Sequence, residues 1–173
     1  MIIDKPDSHF IFIYHPLVLM GRKYTVYQGK ELTNGEVLQY WGKWIVLGTR
    51  QRLDELAQKL DPFVEDREIP CIKYDRLPSR NLGVKECVMM VYCDKRNRDE
   101  VWDILSQFGI KLKAWVTEKE TMEMWMSGGP LLERWLASTE YDEKTKEAIR
   151  ADAESSLSYI FNHPEEIFTP WQQ

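Results

Sequence analysis

Cys87-Val88-Met89-Met90-Val91-Tyr92-Cys93 is apolar at every position. In an extended chain successive side chains point to opposite faces, so Cys87, Met89, Val91 and Cys93 share one face and Val88, Met90 and Tyr92 the other. A strand that is apolar on both sides must be covered on both sides. The stretch therefore predicts an inner strand with helices on one face and a second cover on the other. That second cover is expected from the C-terminal helices or from a partner protomer.

The flanking sequence supplies the first cover. Val101, Trp102, Leu105 and Phe108 recur at helical spacing, Gly109 ends that pattern, and Ile110 to Val116 reads as a returning strand. In the latter, Lys111, Lys113 and Trp115 alternate with Leu112, Ala114 and Val116, the signature of a half-exposed edge guarded by lysines. The same order occurs upstream. Trp44-Ile45-Val46-Leu47 reads as a strand, Thr49 as the cap of a helix carrying Leu53, Leu56, Ala57 and Leu60, and Ile69 to Tyr74 as the return. Phe10 to Tyr14 and Tyr24 to Tyr27 add two strand signals separated by Pro16 and Gly21. The order ββ, βαβ, βαβ, then helices predicts an α+β domain with a single main sheet.

Residues 76–83 form a loop rich in breakers, with Pro78, Asn81 and Gly83. Ser127-Gly128-Gly129-Pro130 ends one helical pattern, and Pro130 suits the first turn of a helix over Leu131 to Ala137. A last helix from about Asp142 to Phe161 carries Ile149, Ala153, Leu157 and Ile160 on one stripe, with Asp142–Lys146 and Arg150–Glu154 at i,i+4 spacing. This divides the chain into a sheet domain, 1–126, and a helical segment, 127–173, packed on the same domain. Charge follows that division. Residues 1–117 hold 18 basic and 16 acidic side chains, whereas residues 118–173 hold 5 and 12. The acidity reads as solvated helix faces.

The 173 residues, 43% hydrophobic and 29% charged, exclude a collagen-like, wholly disordered or disulfide-scaffold chain. A net charge of −5 argues against general nucleic-acid binding. The longest early apolar run, Phe10 to Tyr14, is too short to span a membrane and follows Asp4 and Asp7 rather than a basic start, so a cytoplasmic protein without a membrane partner is expected. Cys71, Cys87 and Cys93 are odd in number and lack C-x-x-C spacing, which fits buried reduced thiols; neither a metal nor a cofactor is expected. The seven Trp are mostly packing residues. Trp44 and Trp102 face inward, Trp125 and Trp135 pack the tail helices onto the sheet, and Trp171 tethers the C-terminus. Trp41 and Trp115 remain for an exposed aromatic surface.

Candidate chemistry is sparse. Tyr40-Trp41-Gly42-Lys43-Trp44 offers flat rings with a cation between them, as planar ligands need. Arg50 and Arg52 fall in the first turn of a helix, where the macrodipole disfavours cations by roughly 0.3–1 kcal/mol each, so an anion is expected beside them. Arg76 and Arg80 flank Pro78 and suit a second anion site. Asn97 with Glu100 reads as a helix cap that leaves Lys95 and Arg96 outside the helix. His15, paired with a lysine, is the candidate acid or base for catalysis.

Trp41-Gly42-Lys43-Trp44-Ile45-Val46 followed by Leu53-Asp54-Glu55-Leu56 resembles the Gly-(Lys/Arg)-Trp strand and following helix of the cap-binding translation initiation factor superfamily. It looks somewhat closer to that superfamily's branch typified by the basophilic-leukemia-expressed protein and labelled as phosphothreonine lyases. The resemblance covers residues 10–117. It implies a curved, mostly antiparallel sheet with helices packed on its convex face. Cap-binding members carry a Trp-Glu pair about ten residues before the Gly-x-Trp; here Lys30-Glu31-Leu32-Thr33-Asn34-Gly35 has no Trp, so no stacking residue carries over. A ferredoxin-like double βαβ is the alternative plan, disfavoured by the two extra N-terminal strand signals.

The expected function is a non-catalytic binding domain for a phosphorylated small molecule or planar, nucleotide-like ligand, using Trp41, Lys43, Arg50, Arg52 and Trp115. The competing readings are a small phosphate-eliminating lyase, using His15 and a lysine, and an interaction subunit whose partner, a second copy included, occupies the sheet face.

Overall fold

The computed structural model describes residues 1–170. Trp171, expected as a C-terminal tether, lies outside the described residues. In chain order the elements are β1 (Ile2–Ile3), β2 (Phe10–Tyr14), α1 (Pro16–Leu19), β3 (Val26–Tyr27), β4 (Lys30–Glu31), α2 (Asn34–Tyr40), β5 (Trp41–Gly48) and α3 (Arg50–Glu65). There follow β6 (Cys71–Asp75), β7 (Cys87–Asp94), α4 (Arg98–Gln107), β8 (Trp115–Thr117), α5 (Glu118–Met124), α6 (Pro130–Ala137) and α7 (Glu143–Asn162), with 3-10 turns at Arg80–Leu82 and Lys95–Asn97.

Six strands form one antiparallel sheet in the order β1-β2-β6-β7-β5-β8, giving an α+β fold. β5 and β7 pair from Trp41 opposite Asp94 to Gly48 opposite Cys87. β7 runs antiparallel between β5 and β6, so β5-α3-β6 is a split unit with a third strand inside it; β7-α4-β8 is a second, with β5 inside. That interleaving is the ferredoxin-like double βαβ plan. The N-terminal signals that argued against it are accommodated by extension: β1 and β2 continue the sheet beyond β6.

Thr49 caps α3 by accepting from the Arg52 amide at 3.2 Å, and the helix buries Leu53, Leu56, Ala57, Leu60 and Val64. With Val101, Ile104 and Leu105 of α4 these residues cover the sheet face formed by Ile11, Ile13, Trp44, Val46, Ile72, Tyr74, Cys87, Met89, Val91 and Cys93. On the opposite face the half around Trp41, Cys71 and Tyr92 is covered by Val37, Met122, Leu157, Ile160 and Phe168. The other half of that face stays open: Phe10, Phe12, Ile45 and Met90 are half-buried and Leu47 is 39% exposed. Residues 163–168 return to the start of α2, where the Asn34 and Gly35 amides donate to Glu166 and Pro164 carbonyls. These contacts satisfy orphan donors of the first turn of α2 and fasten the C-terminal segment to the sheet domain.

Several expectations are corrected. Tyr24 to Tyr27 does not join the main sheet; its last two residues pair with β4 in a separate hairpin. Gln28 and Gly29 at its turn have φ of 51° and 77°, the positive values a tight type I′ hairpin requires. Of the stretch Ile110 to Val116, only Trp115 and Val116 are strand, and Lys111, Leu112 and Lys113 are exposed before it. Asn97 makes no side-chain capping bond; the Asp94 carboxylate accepts from the Arg96 amide at 2.8 Å instead. In α7, Asp142 caps the helix through the Thr145 amide, and Arg150 pairs with Glu133 of α6 and with Glu147 rather than with Glu154. The helix α2, not assigned from the sequence, starts at Asn34 because Thr33 and Glu36 form a reciprocal capping box. All three cysteines are free and buried. Among the described residues no helix is long and apolar enough to cross a membrane.

Candidate functional site

The residues expected to bind a ligand do not converge. Trp41 opens β5 at 1% exposure and stacks on Tyr92 within the second core, so it offers no surface. Lys43 is 5% exposed and donates to Glu118 at 2.8 Å, which neutralises it internally. Trp115 is half-buried and packs edge-on against Trp44; its indole nitrogen is buried without a partner among the described residues. Arg50 and Arg52 lie past the other end of β5, roughly 25 Å from Trp41 at the rise of a strand. Arg50 donates to Asp54 at 2.9 Å and to the Arg76 carbonyl at 3.2 Å, and pairs with Asp4 at 3.7 Å. Carboxylates of the chain thus supply the anion that the helix position called for. The hydrogen bond to Asp54, above all, holds the Arg50 guanidinium above its ordinary range. Arg52 is exposed. Arg76 donates to the Ser8 and Lys5 carbonyls and to Asp4, and so fastens the N-terminal segment.

Among the described residues, two concave sites each contain one of the expected residues. The first has a volume of about 440 Å³ and lies between α1, the β3–β4 hairpin, the end of α3 and the start of α4. His15 caps α1, its Nδ1 accepting from the Leu17 amide at 3.1 Å. Gly21, with φ of 96°, then turns the chain so that Arg22, Lys23 and Tyr24 reach the groove. Arg67, itself at φ 62° after the last turn of α3, comes from the opposite side. Arg22, Lys23, Arg67 and Arg96 outnumber Glu31 and Glu100 among the lining residues, in a chain whose net charge is −5.

These groups differ in how far they are already engaged. Arg96 is held: its Nε and Nη2 donate to Asp94 at 2.9 and 2.8 Å, and its guanidinium lies 3.9 Å from the Tyr27 ring centroid and 3.8 Å from that of Tyr40. Lys23 makes a long hydrogen bond to Thr169. No carboxylate among the described residues lies within ion-pair distance of Arg22 or Arg67. The Asn97 amide oxygen, also in the wall, is buried and has no partner among the described residues. Tyr24 stacks on Tyr14 at 5.6 Å, and burial pushes its hydroxyl well above the ordinary phenol range. Signals for this groove did exist in the sequence, as Arg22-Lys23-Tyr24 and the hairpin turn, but its far wall comes from residues 64–100.

The second site, of about 800 Å³, lies between the start of β2, the loop of residues 77–82, and Trp125 and Trp135. Phe10, Pro78, Arg80, Trp125 and Trp135 line it with His9 at its rim. Trp135 meets Tyr141 edge-on, and Trp125 borders the second core. The described residues contain no cluster of His, Cys, Asp and Glu able to hold a metal. Comparison of the chain with protein-family models, curated proteins and solved structures finds no significant match.

Proposed function

We propose that the protein binds a phosphorylated planar ligand of mononucleotide size in the groove between α1, the β3–β4 hairpin and the ends of α3 and α4. The observation that carries this is the pair of guanidiniums, Arg22 and Arg67, lining one cavity with no ion-pair partner among the described residues. Guanidinium forks match phosphate oxygens bidentately. A volume of about 440 Å³ falls within the range of small-molecule sites. Tyr24, Tyr27 and the unpartnered Asn97 amide supply flat walls and a polar contact for the planar part. Calorimetric titration with AMP, GMP, ATP and inorganic pyrophosphate tests the proposal. Saturable heat is expected that disappears in Arg22→Ala/Arg67→Ala, and no heat at millimolar ligand removes the nucleotide reading.

His15 lines the same groove as Lys23, which favours a second reading, a phosphate-eliminating lyase. Its Nδ1 is occupied by the Leu17 amide, leaving Nε2 as the nitrogen available for proton transfer. In that reaction a base removes the proton α to a carbonyl, the phosphate leaves from the β carbon, and a double bond forms between them. Release of inorganic phosphate from a phosphothreonine peptide, lost in His15→Gln, distinguishes it from simple binding.

A further inference from the structure

Apolar side chains from four segments meet at the second groove: Phe10 opens β2, Leu77 belongs to the loop after β6, Trp125 follows α5 and Trp135 lies in α6. Leu77 is 67% exposed. The three rings are braced by other parts of the chain. Phe10 meets Phe12 edge-on at 6.3 Å, Trp135 meets Tyr141 edge-on at 6.3 Å, and Trp125 packs against the second core. The loop is seated as well: Gly83 closes its 3-10 turn at φ 73° and lies so near α6 that a Cβ there would overlap the Arg134 guanidinium. Walls that are in place beforehand lower the ordering cost of binding.

The polar chemistry of this groove is one-sided. Among the described residues no Asp or Glu lines it. Arg80, in the 3-10 turn, is exposed and its guanidinium has no partner among the described residues. The carboxylate within ion-pair distance of His9 is Asp75 at 3.9 Å, which is 3% exposed and already accepts from the Val88 amide. The indole nitrogens of Trp125 and Trp135 have no acceptor among the described residues and, unlike that of Trp115, are not buried. An indole N–H is a donor only. Flat rings, unused donors and positive charge call for a ligand with apolar rings, several acceptors, few donors and negative charge.

We propose that this groove binds an acidic, proline-rich segment of a partner protein in the polyproline II conformation. Proline carries a ring and a carbonyl acceptor but no N–H, and polyproline II leaves its carbonyls unbonded within their own chain. Aromatic-lined grooves take such segments because their conformation is set before binding. Prolines lie on Trp125, Trp135 and Phe10, their carbonyls accept from the indole N–H groups, and an acidic side chain meets Arg80. A small aromatic acid gathers its acceptors at one end, whereas the donors here come from the loop, the end of α5 and α6. A run of carbonyls along a chain matches that spread. The site is independent of the groove that holds Arg22 and Arg67, since the two share no lining residue.

Fluorescence anisotropy of a labelled Asp-Pro-Pro-Pro-Pro-Asp peptide titrated with the full chain tests this, with Lys-Pro-Pro-Pro-Pro-Lys and Asp-Gly-Ser-Gly-Ser-Asp peptides as controls. The acidic proline peptide is expected to saturate, about tenfold more tightly than either control, the least that a hydrogen bond to a charged group contributes. Trp125→Phe and Trp135→Phe each keep a ring and lose the N–H, and each is expected to weaken binding about three- to tenfold. Arg80→Glu changes an exposed loop residue and is expected to turn the preference toward the basic peptide. Arg22→Ala/Arg67→Ala is expected to leave the affinity unchanged. Absence of saturation at hundreds of micromolar protein, equal binding of the Gly-Ser peptide, or saturable binding of indole-3-acetate without binding of the peptide overturns the proposal. Unaltered charge preference in Arg80→Glu, full affinity in both Trp variants, or loss of binding in Arg22→Ala/Arg67→Ala overturns the assignment of the groove.

Discussion

Arg96 closes a bidentate pair on Asp94, a carboxylate at the end of β7 with 0% of its surface exposed. The same guanidinium fills the space between Tyr27 and Tyr40, so one side chain ties the sheet to the β3–β4 hairpin and to the end of α2. Arg96→Ala removes both guanidinium bonds and leaves the buried carboxylate the backbone amide of that position as donor. Because the guanidinium is itself partly exposed, the loss is expected at about 2–3 kcal/mol, below the full cost of breaking a buried pair. Urea denaturation measures it, and a loss under about 0.5 kcal/mol would show that water replaces the pair.

Gly42 meets the face of Trp115 across the β5–β8 pair, and a Cβ there would overlap the indole and approach the Val116 carbonyl at 2.8 Å. Gly42→Ala must displace β8, an edge strand held through three register pairs. An overpacking cost of about 1–3 kcal/mol is expected, together with a change in tryptophan fluorescence as Trp115 shifts against Trp44.

Alkaline pH is expected to destabilise the fold. Burial raises Tyr14, Tyr24, Tyr74 and Tyr92, and likewise Cys71, Cys87 and Cys93, above their ordinary values. Above about pH 9 the unfolded chain releases thiol protons, and then phenol protons, that the folded chain keeps; the folded state binds more protons and stability falls as pH rises. Lys73 has the opposite sign, since its lowered value makes the unfolded chain the better proton binder below 10.5. Seven groups against one decide the direction. Denaturation midpoints at pH 7, 9 and 10.5 check it; a rising midpoint would mean that these side chains reach solvent in the folded state.

Thr33 accepts from the Glu36 amide at 3.2 Å while Glu36 returns a bond to the Thr33 amide at 3.1 Å. The same bonding holds the Glu36 carboxyl below its ordinary range. Thr33→Ala is expected to cost about 1 kcal/mol and to loosen residues 163–168, which lie on the start of α2. Faster amide exchange at Asn34 and Gly35, with β7 unchanged, is the expected pattern in hydrogen-exchange mass spectrometry.

Much of this architecture was legible because it is local. The side-chain faces of Cys87 to Cys93, the 3.6-residue recurrence of Leu53, Leu56 and Leu60, and the cap at Thr49 each depend on neighbours within a turn or two. The stretch from Asn34 to Tyr40 received no helix assignment from its sequence; the reciprocal capping box of Thr33 and Glu36 is what starts α2 there. The anion expected beside Arg50 from its place in the first turn of α3 is supplied within the chain by Asp54 and by Asp4, the second lying 46 positions away in sequence.

Composition and periodicity alone determined the α+β class, the helix cover on one face of β7, the edge position of β8 and the acidic helical tail. Strand order and the grooves required the folded chain. Pairing β7 between β5 and β6, rather than beside its sequence neighbour alone, is a choice among long-range partners that no local pattern encodes. That choice buries Trp41 and neutralises Lys43. The fold also places Arg22 and Arg67 on one cavity, because charge balance in a folded protein depends on distance in space and not along the chain.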